Sequence, residues 1–127
     1  MCIRVSVNRF SLVEAVLNLI KNARDALEES TASGDLSTPA HIRLHTGVGL
    51  NGSADRVQIE VIDSGAGIPQ DILDRIFDPF FTTKARGTGL GMAIAYNIIK
   101  AHQGTIEVES QESEGSRFIV TIPTWSA

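Results

Sequence analysis

Two asparagines four residues apart are the first side chains whose spacing suits chemistry. Asn18 and Asn22 lie in a stretch where hydrophobic residues recur at helical spacing, so both amides are expected on one face of a helix. Their neutral oxygens suit a Mg²⁺ ion whose charge is already balanced by phosphates. Taken alone, the pair is explained equally well as a polar helix face, although asparagine is a poor helix former.

A second segment with chemical potential begins at Asp63, where a hydrophobic strand is predicted to end. The Asp63 carboxylate could accept a hydrogen bond from an exocyclic amine, and Gly65 and Gly67 would let a flat ring approach the backbone. An ordinary strand-to-helix turn explains the same residues, because aspartate and glycine are common in turns. Taken alone, this segment is better interpreted as a turn.

Two more segments follow along the chain. Residues 76–84 hold three of the five phenylalanines and show no helix or strand periodicity. These side chains either anchor a loop to the core or form the base of a movable lid, in which Lys84 faces a phosphate. The glycine-rich stretch 87–91 opens a predicted helix, where backbone N–H groups form an anion site. It is neither a Walker A loop nor a Rossmann fingerprint, since no Gly-Lys-Ser/Thr follows and no strand precedes it.

Hydrophobic periodicity predicts the elements that position these segments. Ser11 and Glu14 form a predicted capping box for a helix over about residues 11–29. Further elements are predicted as strands at 3–7, 41–48, 56–62, 105–110 and 116–122, a hairpin turn at 51–55, and helices at 70–76 and 90–102. Together they predict one α/β domain over residues 1–127, a two-layer α/β sandwich whose mixed, mostly antiparallel sheet is covered by helices on one face.

Composition restricts the classes of function. The chain of 127 residues is 43% hydrophobic and 20% charged, which is ordinary for a globular domain. Its net charge of -4 gives no basic field for nucleic acid or an anionic membrane. Cys2 is the single cysteine, so an internal disulfide is excluded. No apolar run reaches the roughly 20 residues of a membrane span. We therefore expect a cytoplasmic domain without nucleic-acid or membrane contact.

In their order and spacing the four segments resemble the N, G1, F and G2 boxes of histidine kinases, over about Ser11 to Pro123. That family shares the Bergerat nucleotide-binding fold with the gyrase, heat-shock chaperone and mismatch-repair ATPases of the GHKL superfamily. The phenylalanine segment and the short lid from Lys84 to Arg86 look most like the kinases that regulate nitrogen systems. The resemblance implies a protein histidine kinase catalytic domain that binds ATP and Mg²⁺. It would transfer the γ-phosphoryl group to a histidine on a separate dimerisation domain, in two-component signal transduction with a downstream response regulator.

The resemblance also implies roles for residues near the phosphates. Asn22 would ligate Mg²⁺ through its side-chain oxygen and act in catalysis together with Lys84. Asn18 would assist the metal directly or through water. Asp25 is left outside the site, because many family members have a basic residue at that position.

The resemblance also implies roles for the residues that would bind the base and anchor the lid. Asp63 would bind the adenine amino group, while Phe77 and Phe80 would anchor the lid. The remaining nucleotide contacts would come from Gly65, Gly67, Phe77, Thr83, Lys84, Gly87, Thr88, Gly89, Leu90 and Gly91.

The three histidines do not fit the acceptor pattern of such kinases. An acceptor histidine in the family is followed by an acidic and an apolar residue, whereas His41, His45 and His102 are each followed by a neutral residue. We interpret all three as structural or surface residues. The acceptor is therefore expected on another part of the parent protein or on another protein, and the isolated domain is expected to be monomeric.

Three other functions remain open on the same fold. An ATP-driven conformational clamp would hydrolyse ATP with a glutamate four residues before the Mg²⁺ asparagine. That position holds Asn18, which favours transfer over hydrolysis. A serine/threonine kinase or anti-sigma switch protein is a second alternative, against which the phenylalanine segment argues. The third is a nucleotide-sensing module that binds ATP without transferring phosphate.

Overall fold

The computed structural model describes residues 7–32, 40–48, 56–81 and 90–124. Its elements are α1 Arg9–Ala32, β1 Ile42–Val48, β2 Arg56–Asp63, a 3₁₀ helix Gln70–Arg75, α2 Gly91–Ala101, β3 Thr105–Gln111 and β4 Gly115–Pro123. Every helix and strand predicted within these ranges is confirmed, with ends that differ by about one to three residues. The predicted hairpin turn at 51–55, and all but the last residue of the predicted strand at 3–7, lie outside the described residues.

Helix α1 begins earlier than the sequence pattern predicts, and the capping box of Ser11 and Glu14 is wrong. Asn8 precedes the first turn, and its side-chain oxygen accepts the Ser11 N–H at 3.0 Å. The Leu12 N–H donates to the Asn8 carbonyl at 2.9 Å. Asparagine is a favoured cap because its side chain satisfies an N–H of the first turn that has no partner within the helix. Ser11 therefore belongs to the first turn itself.

The four described strands form one sheet in the order β1-β2-β4-β3, and all three pairs are antiparallel. The mixed sheet expected from sequence is therefore fully antiparallel across these four strands. On the outer face Arg117 donates to Glu60 on β2 and to Glu109 on β3, at 2.5 and 2.9 Å. These two bonds hold three strands in register, and that register places Asp63 opposite Ser116.

A hydrophobic core between the sheet and the helices confirms the two-layer sandwich. Alternate residues of β2 and β4 face the helices, whereas their neighbours face the opposite side. The largest fully buried side chains are Phe118, Leu19, Ile99, Ile122, Val61 and Val120. Each such side chain stabilises the fold by roughly 1.5–3 kcal/mol relative to an exposed one.

His102 joins the beginning of α1 to the end of α2. Its Nε2 accepts the Asn8 N–H at 2.9 Å, and its Nδ1 lies 2.8 Å from the Ile98 carbonyl. Both contacts form when Nδ1 carries the proton and donates to Ile98. The structural role expected for His102 is thereby confirmed, and the contact brings the start of α1 beside the end of α2.

Candidate functional site

Asp63 is the last residue of β2. Its carboxylate is buried, and only one of its two oxygens accepts a hydrogen bond from the described residues. Only 3% of the residue is exposed, and its Oδ1 accepts the Gly65 N–H at 2.9 Å. Its Oδ2 is also buried and has no hydrogen-bond partner among the residues that the structure describes. A buried polar atom without a partner is costly, and such atoms are few in folded proteins. The Asp63 side chain is therefore suited to receive an N–H donor from a ligand.

Burial raises the pKa of Asp63 above its ordinary value of 3.8. The backbone amides of Gly65 and Ser116 and the charge of His41 act in the opposite direction, but they are outweighed. Loss of water destabilises the ionised form, and hydrogen-bond donors restore it. A ligand that donates a hydrogen bond to Oδ2 would consequently lower the pKa of Asp63 and favour its ionised form.

The loop after Asp63 is pressed between α1 and the turn that joins β3 to β4. A Cβ at Gly65 would lie 2.7 Å from the carbonyl carbon and oxygen of Ala26. Gly67 has φ of 75°, and a Cβ there would overlap the Gln111 carbonyl. Both glycines are thus required because the backbone packs closely here. This requirement is compatible with either interpretation of the segment, as an ordinary turn or as a slot for a base. Their contact with a purine ring stays a prediction.

One face of α1 connects the Asp63 loop with the start of α2. Asn18 Oδ1 lies 3.6 Å from where a Cβ of Gly91 would be, so it faces the first turn of α2. Ala26 contacts the loop after Asp63, since the Ala66 N–H donates to its carbonyl at 3.3 Å. Asn22 lies half-buried between these two contacts. The eight residue steps from Asn18 to Ala26 span about 12 Å of helix, a length that fits a base and its phosphates.

The phenylalanine segment is attached to the core by two of its three rings. The Phe77 ring lies 5.3 Å from Tyr96 and meets Phe118 edge-on at 6.5 Å. Phe81 also contacts the core, and the Arg75 guanidinium lies 4.6 Å from its ring centre. Phe77 packs on the core as an anchor would, and its role for a lid stays a prediction, whereas the anchoring predicted for Phe80 is wrong because that residue is 74% exposed. Phe80 has φ of 68°, a left-handed turn after which Phe81 rather than Phe80 faces inward.

Several predicted site residues lie outside the described part of the chain, namely Thr83, Lys84, Gly87, Thr88 and Gly89. Of the glycine-rich stretch, Leu90 and Gly91 are described: Leu90 is the cap of α2, and its carbonyl accepts the Ile94 N–H at 2.8 Å. Asp25, which the sequence leaves outside the site, has an oxygen 3.5 Å from the exposed guanidinium of Arg24. In the described ranges, no group of three or more His, Cys, Asp or Glu side chains could hold a metal ion. Likewise, no helix in these ranges is both long enough and apolar enough to cross a bilayer.

Sequence reasoning missed two buried serines behind the Asp63 loop. Ser110 and Ser116 are 9% and 5% exposed, and their hydroxyl oxygens lie 2.8 Å apart. A signal for Ser110 was present in the sequence. Ile106 and Val108 alternate with polar residues in β3, and the same period places Ser110 on the inner face. A serine at a core position of a strand indicates a specific hydrogen-bonding role.

Residues 8–126 match the family described as histidine kinase-, DNA gyrase B- and HSP90-like ATPases. The chain belongs to this family, and its α/β sandwich is the Bergerat ATP-binding fold of histidine kinase catalytic domains. Among curated proteins it is 46% identical over 112 residues to the sensor histidine kinase ZraS of Escherichia coli K12. That match covers 88% of this chain and 21% of ZraS.

Two further relatives agree with this assignment. The sensory histidine kinase/phosphatase NtrB of Rhizobium meliloti is 38% identical over 123 residues, which cover 94% of this chain and 32% of NtrB. The catalytic domain of histidine kinase ThkA superposes with a TM-score of 0.71 at 33% identity, over 94% of this chain and 70% of that one. The chain thus spans between about a fifth and a third of these two curated kinases.

Proposed function

We propose that this chain is the catalytic domain of a sensor histidine kinase, which binds Mg²⁺–ATP and phosphorylates a histidine on a separate helical dimerisation domain. The observation that carries the proposal is the buried Asp63 Oδ2, which has no hydrogen-bond partner in the described part of the chain. It is located at one end of a helix face whose other end meets the start of α2. The family match and the identity to ZraS and NtrB support it. A response regulator is the downstream partner in this proposal, and the domain acts in the cytoplasm.

The residues present fit the nucleotide and its metal. Asp63 Oδ2 offers the acceptor that an adenine amino group requires, and the α1 amides offer neutral oxygens. Asn22, assisted by Asn18, would hold Mg²⁺ together with the phosphates. When bound, Mg²⁺ supplies neutralisation of the phosphate charge. Lys84 and the glycine-rich stretch 87–91 are proposed to supply further positive charge and backbone N–H groups to the phosphates.

For phosphoryl transfer, this domain chiefly has to position the nucleotide and stabilise the charge on its phosphates. Asp63 would hold the base, and α1 would fix its distance from the phosphates. An imidazole nitrogen of the helical domain would then attack the γ-phosphorus, with ADP as leaving group. Any base that assists the imidazole would come from that other domain. The ATP-hydrolysing clamp is disfavoured, because Asn18 occupies the position of the hydrolytic glutamate.

The proposal is tested by mixing this domain with the histidine-bearing helical domain of its parent in the presence of radiolabelled ATP. We expect neither domain to become labelled alone and the helical domain to become labelled when both are present. Its phosphate should be labile to acid and stable to alkali. A helical domain with the acceptor histidine replaced by glutamine is the control and should stay unlabelled. Rapid ATP hydrolysis by the lone domain without any transfer would favour the clamp instead.

The raised pKa of Asp63 predicts opposite pH trends for stability and for ATP binding. The folded-state pKa lies above the unfolded value, so the contribution of Asp63 to folding stability is present below the unfolded pKa. It is lost as pH rises through the folded pKa.

ATP affinity should change the other way, weakening as pH falls through the folded pKa, because protonation removes the charged acceptor. Calorimetric titration with ATP and thermal unfolding without nucleotide, each for wild type and Asp63→Asn across this window, test the two trends. The difference between the two proteins isolates Asp63 from the titration of the phosphates, and parallel pH profiles would contradict the prediction.

A further inference from the structure

Ser110 lies at the centre of a hydrogen-bond cluster behind the Asp63 loop. Its Oγ accepts the Ile68 N–H at 2.7 Å and lies 3.1 Å from the Gly115 carbonyl. The Ser116 hydroxyl is the third contact, at 2.8 Å. With 9% of the residue exposed, Ser110 is sheltered from competing water. One hydroxyl therefore joins the loop, strand β3 and the beginning of β4.

The same hairpin end holds the loop at two further points. The Gln70 side-chain amide donates to the Ser110 carbonyl at 2.9 Å, and the Ser113 N–H donates to the Ala66 carbonyl at 2.7 Å. Gly67 lies against the Gln111 carbonyl so closely that no side chain fits between them. The position of the loop relative to Asp63 is thus set by the β3–β4 hairpin end, with Ser110 at its buried centre.

The hydrogen-bonding capacity of Ser110 determines the direction of its contacts. A serine hydroxyl has one proton to donate and can accept two. The Ile68 N–H and the Gly115 carbonyl have fixed roles as donor and acceptor. All three contacts are satisfied together only when Ser110 donates to Gly115 and accepts from Ile68 and from Ser116. In this arrangement the single proton of the Ser116 hydroxyl points to Ser110.

Ser116 then has only acceptor capacity left for other groups. It is the cross-strand partner of Asp63, and opposed residues of an antiparallel pair lie on the same face of the sheet. Asp63 Oδ2 is likewise an acceptor without a donor among the described residues. The backbone N–H groups of Gly65 and Ser116 are directed to the Asp63 carboxylate itself. The side chains of Asp63 and Ser116 therefore offer only acceptors to a ligand, which suits an amino group with two N–H donors and disfavours a carbonyl oxygen.

We infer that Ser110 is a positioning residue for base recognition: it holds the Asp63 loop in place and fixes the Ser116 hydroxyl as an acceptor, so that the site prefers a 6-amino purine to a 6-oxo purine. The inference rests on the proposed function, since it specifies how that nucleotide site selects its base. Ser110 acts through Ile68 and Ser116 and needs no contact with the nucleotide.

Titration calorimetry with ATP and with ITP, which has a carbonyl in place of the amino group, tests this role. Removing one partner of a buried hydrogen bond corresponds to a loss of between about fivefold and a hundredfold in affinity. Ser110→Ala should lower ATP affinity within that range and ITP affinity less, so that the ATP-to-ITP preference shrinks. Ser110→Thr, which keeps the hydroxyl, should restore the preference. Thr105→Val removes a hydroxyl from the exposed face of the same strand and should change neither value.

The possible outcomes separate the inference from the proposed function. Wild-type protein that binds neither nucleotide would overturn both. Wild type that binds ATP, with an unchanged ATP-to-ITP preference in folded Ser110→Ala, would overturn the inference alone. Proportionate loss of both affinities would do the same, because it would assign Ser110 a purely structural role. If Ser110→Ala does not fold, Ser110→Cys places a polar atom at the same position that is a weaker donor and a weaker acceptor, and it must show the same reduced preference.

Discussion

Asp63→Asn is expected to weaken ATP binding by about 1–3 kcal/mol, the cost of losing a buried hydrogen bond to a charged group. Asparagine has nearly the same shape, so one oxygen can still accept the Gly65 N–H, as Oδ1 does now at 2.9 Å. The amide nitrogen then takes the place of Oδ2 and brings an N–H donor to the adenine amino group. Base selectivity should fall together with affinity, because repulsion between donors replaces attraction.

The same substitution should not weaken the fold at neutral pH. Burial raises the pKa of Asp63, which means that the ionised carboxylate is held in the fold at a cost, and a neutral amide avoids that cost. Calorimetric titration with ATP and thermal unfolding without nucleotide measure the two effects separately. Asp74→Asn, at an exposed position of the 3₁₀ helix, is the matched control and should leave ATP affinity unchanged. Equal ATP affinity in Asp63→Asn and wild type would contradict the assignment of the base site.

Helices α1 and α2 and strands β2, β3 and β4 could be predicted because the hydrophobic period of each one reflects a buried face. Helix α1, for example, buries Ala15, Leu19 and Ala23 at the spacing that the sequence displays. The same hydrophobic pattern could not predict which residue caps the N-terminus of α1. Ser11 and Asn8 are both residues that favour cap positions, and Asn8, the one that caps the helix, also donates its N–H to His102 at the far end of α2, a long-range contact that the local pattern does not contain.

The site shows a similar division between local and long-range information. The positions of Asn18 and Asp63 on a helix face and at a strand end follow from the local sequence. The contacts of Gly65 with Ala26 and of Gly67 with Gln111 join segments that are far apart in the chain. No local sequence pattern predicts these two contacts. Phe80 and Phe81 are alike in sequence, and the backbone turn at Phe80 decides which of them is buried.

Asn22→Ala is expected to reduce phosphoryl transfer to the helical domain by at least about a hundredfold, the scale of losing one preorganised group that stabilises developing charge. Asn22 is proposed as the Mg²⁺ ligand, and its removal leaves the phosphates without their protein-held counter-charge. Helix α1 should persist, because alanine is a better helix former than asparagine. Some nucleotide binding should also persist, since Asp63 and the loop after it remain intact.

Radiolabelled transfer in trans and calorimetric titration of ATP with and without Mg²⁺ test this expectation together. In wild type Mg²⁺ should strengthen ATP binding, and in Asn22→Ala that gain should shrink, a change that a general loss of stability would not produce. Asn97→Ala makes the same replacement at an exposed position of α2 and should leave both measurements unchanged. Transfer at the wild-type rate by Asn22→Ala would show that this amide does not hold the metal. Asn18, whose oxygen faces the first turn of α2, would then be the next ligand to test.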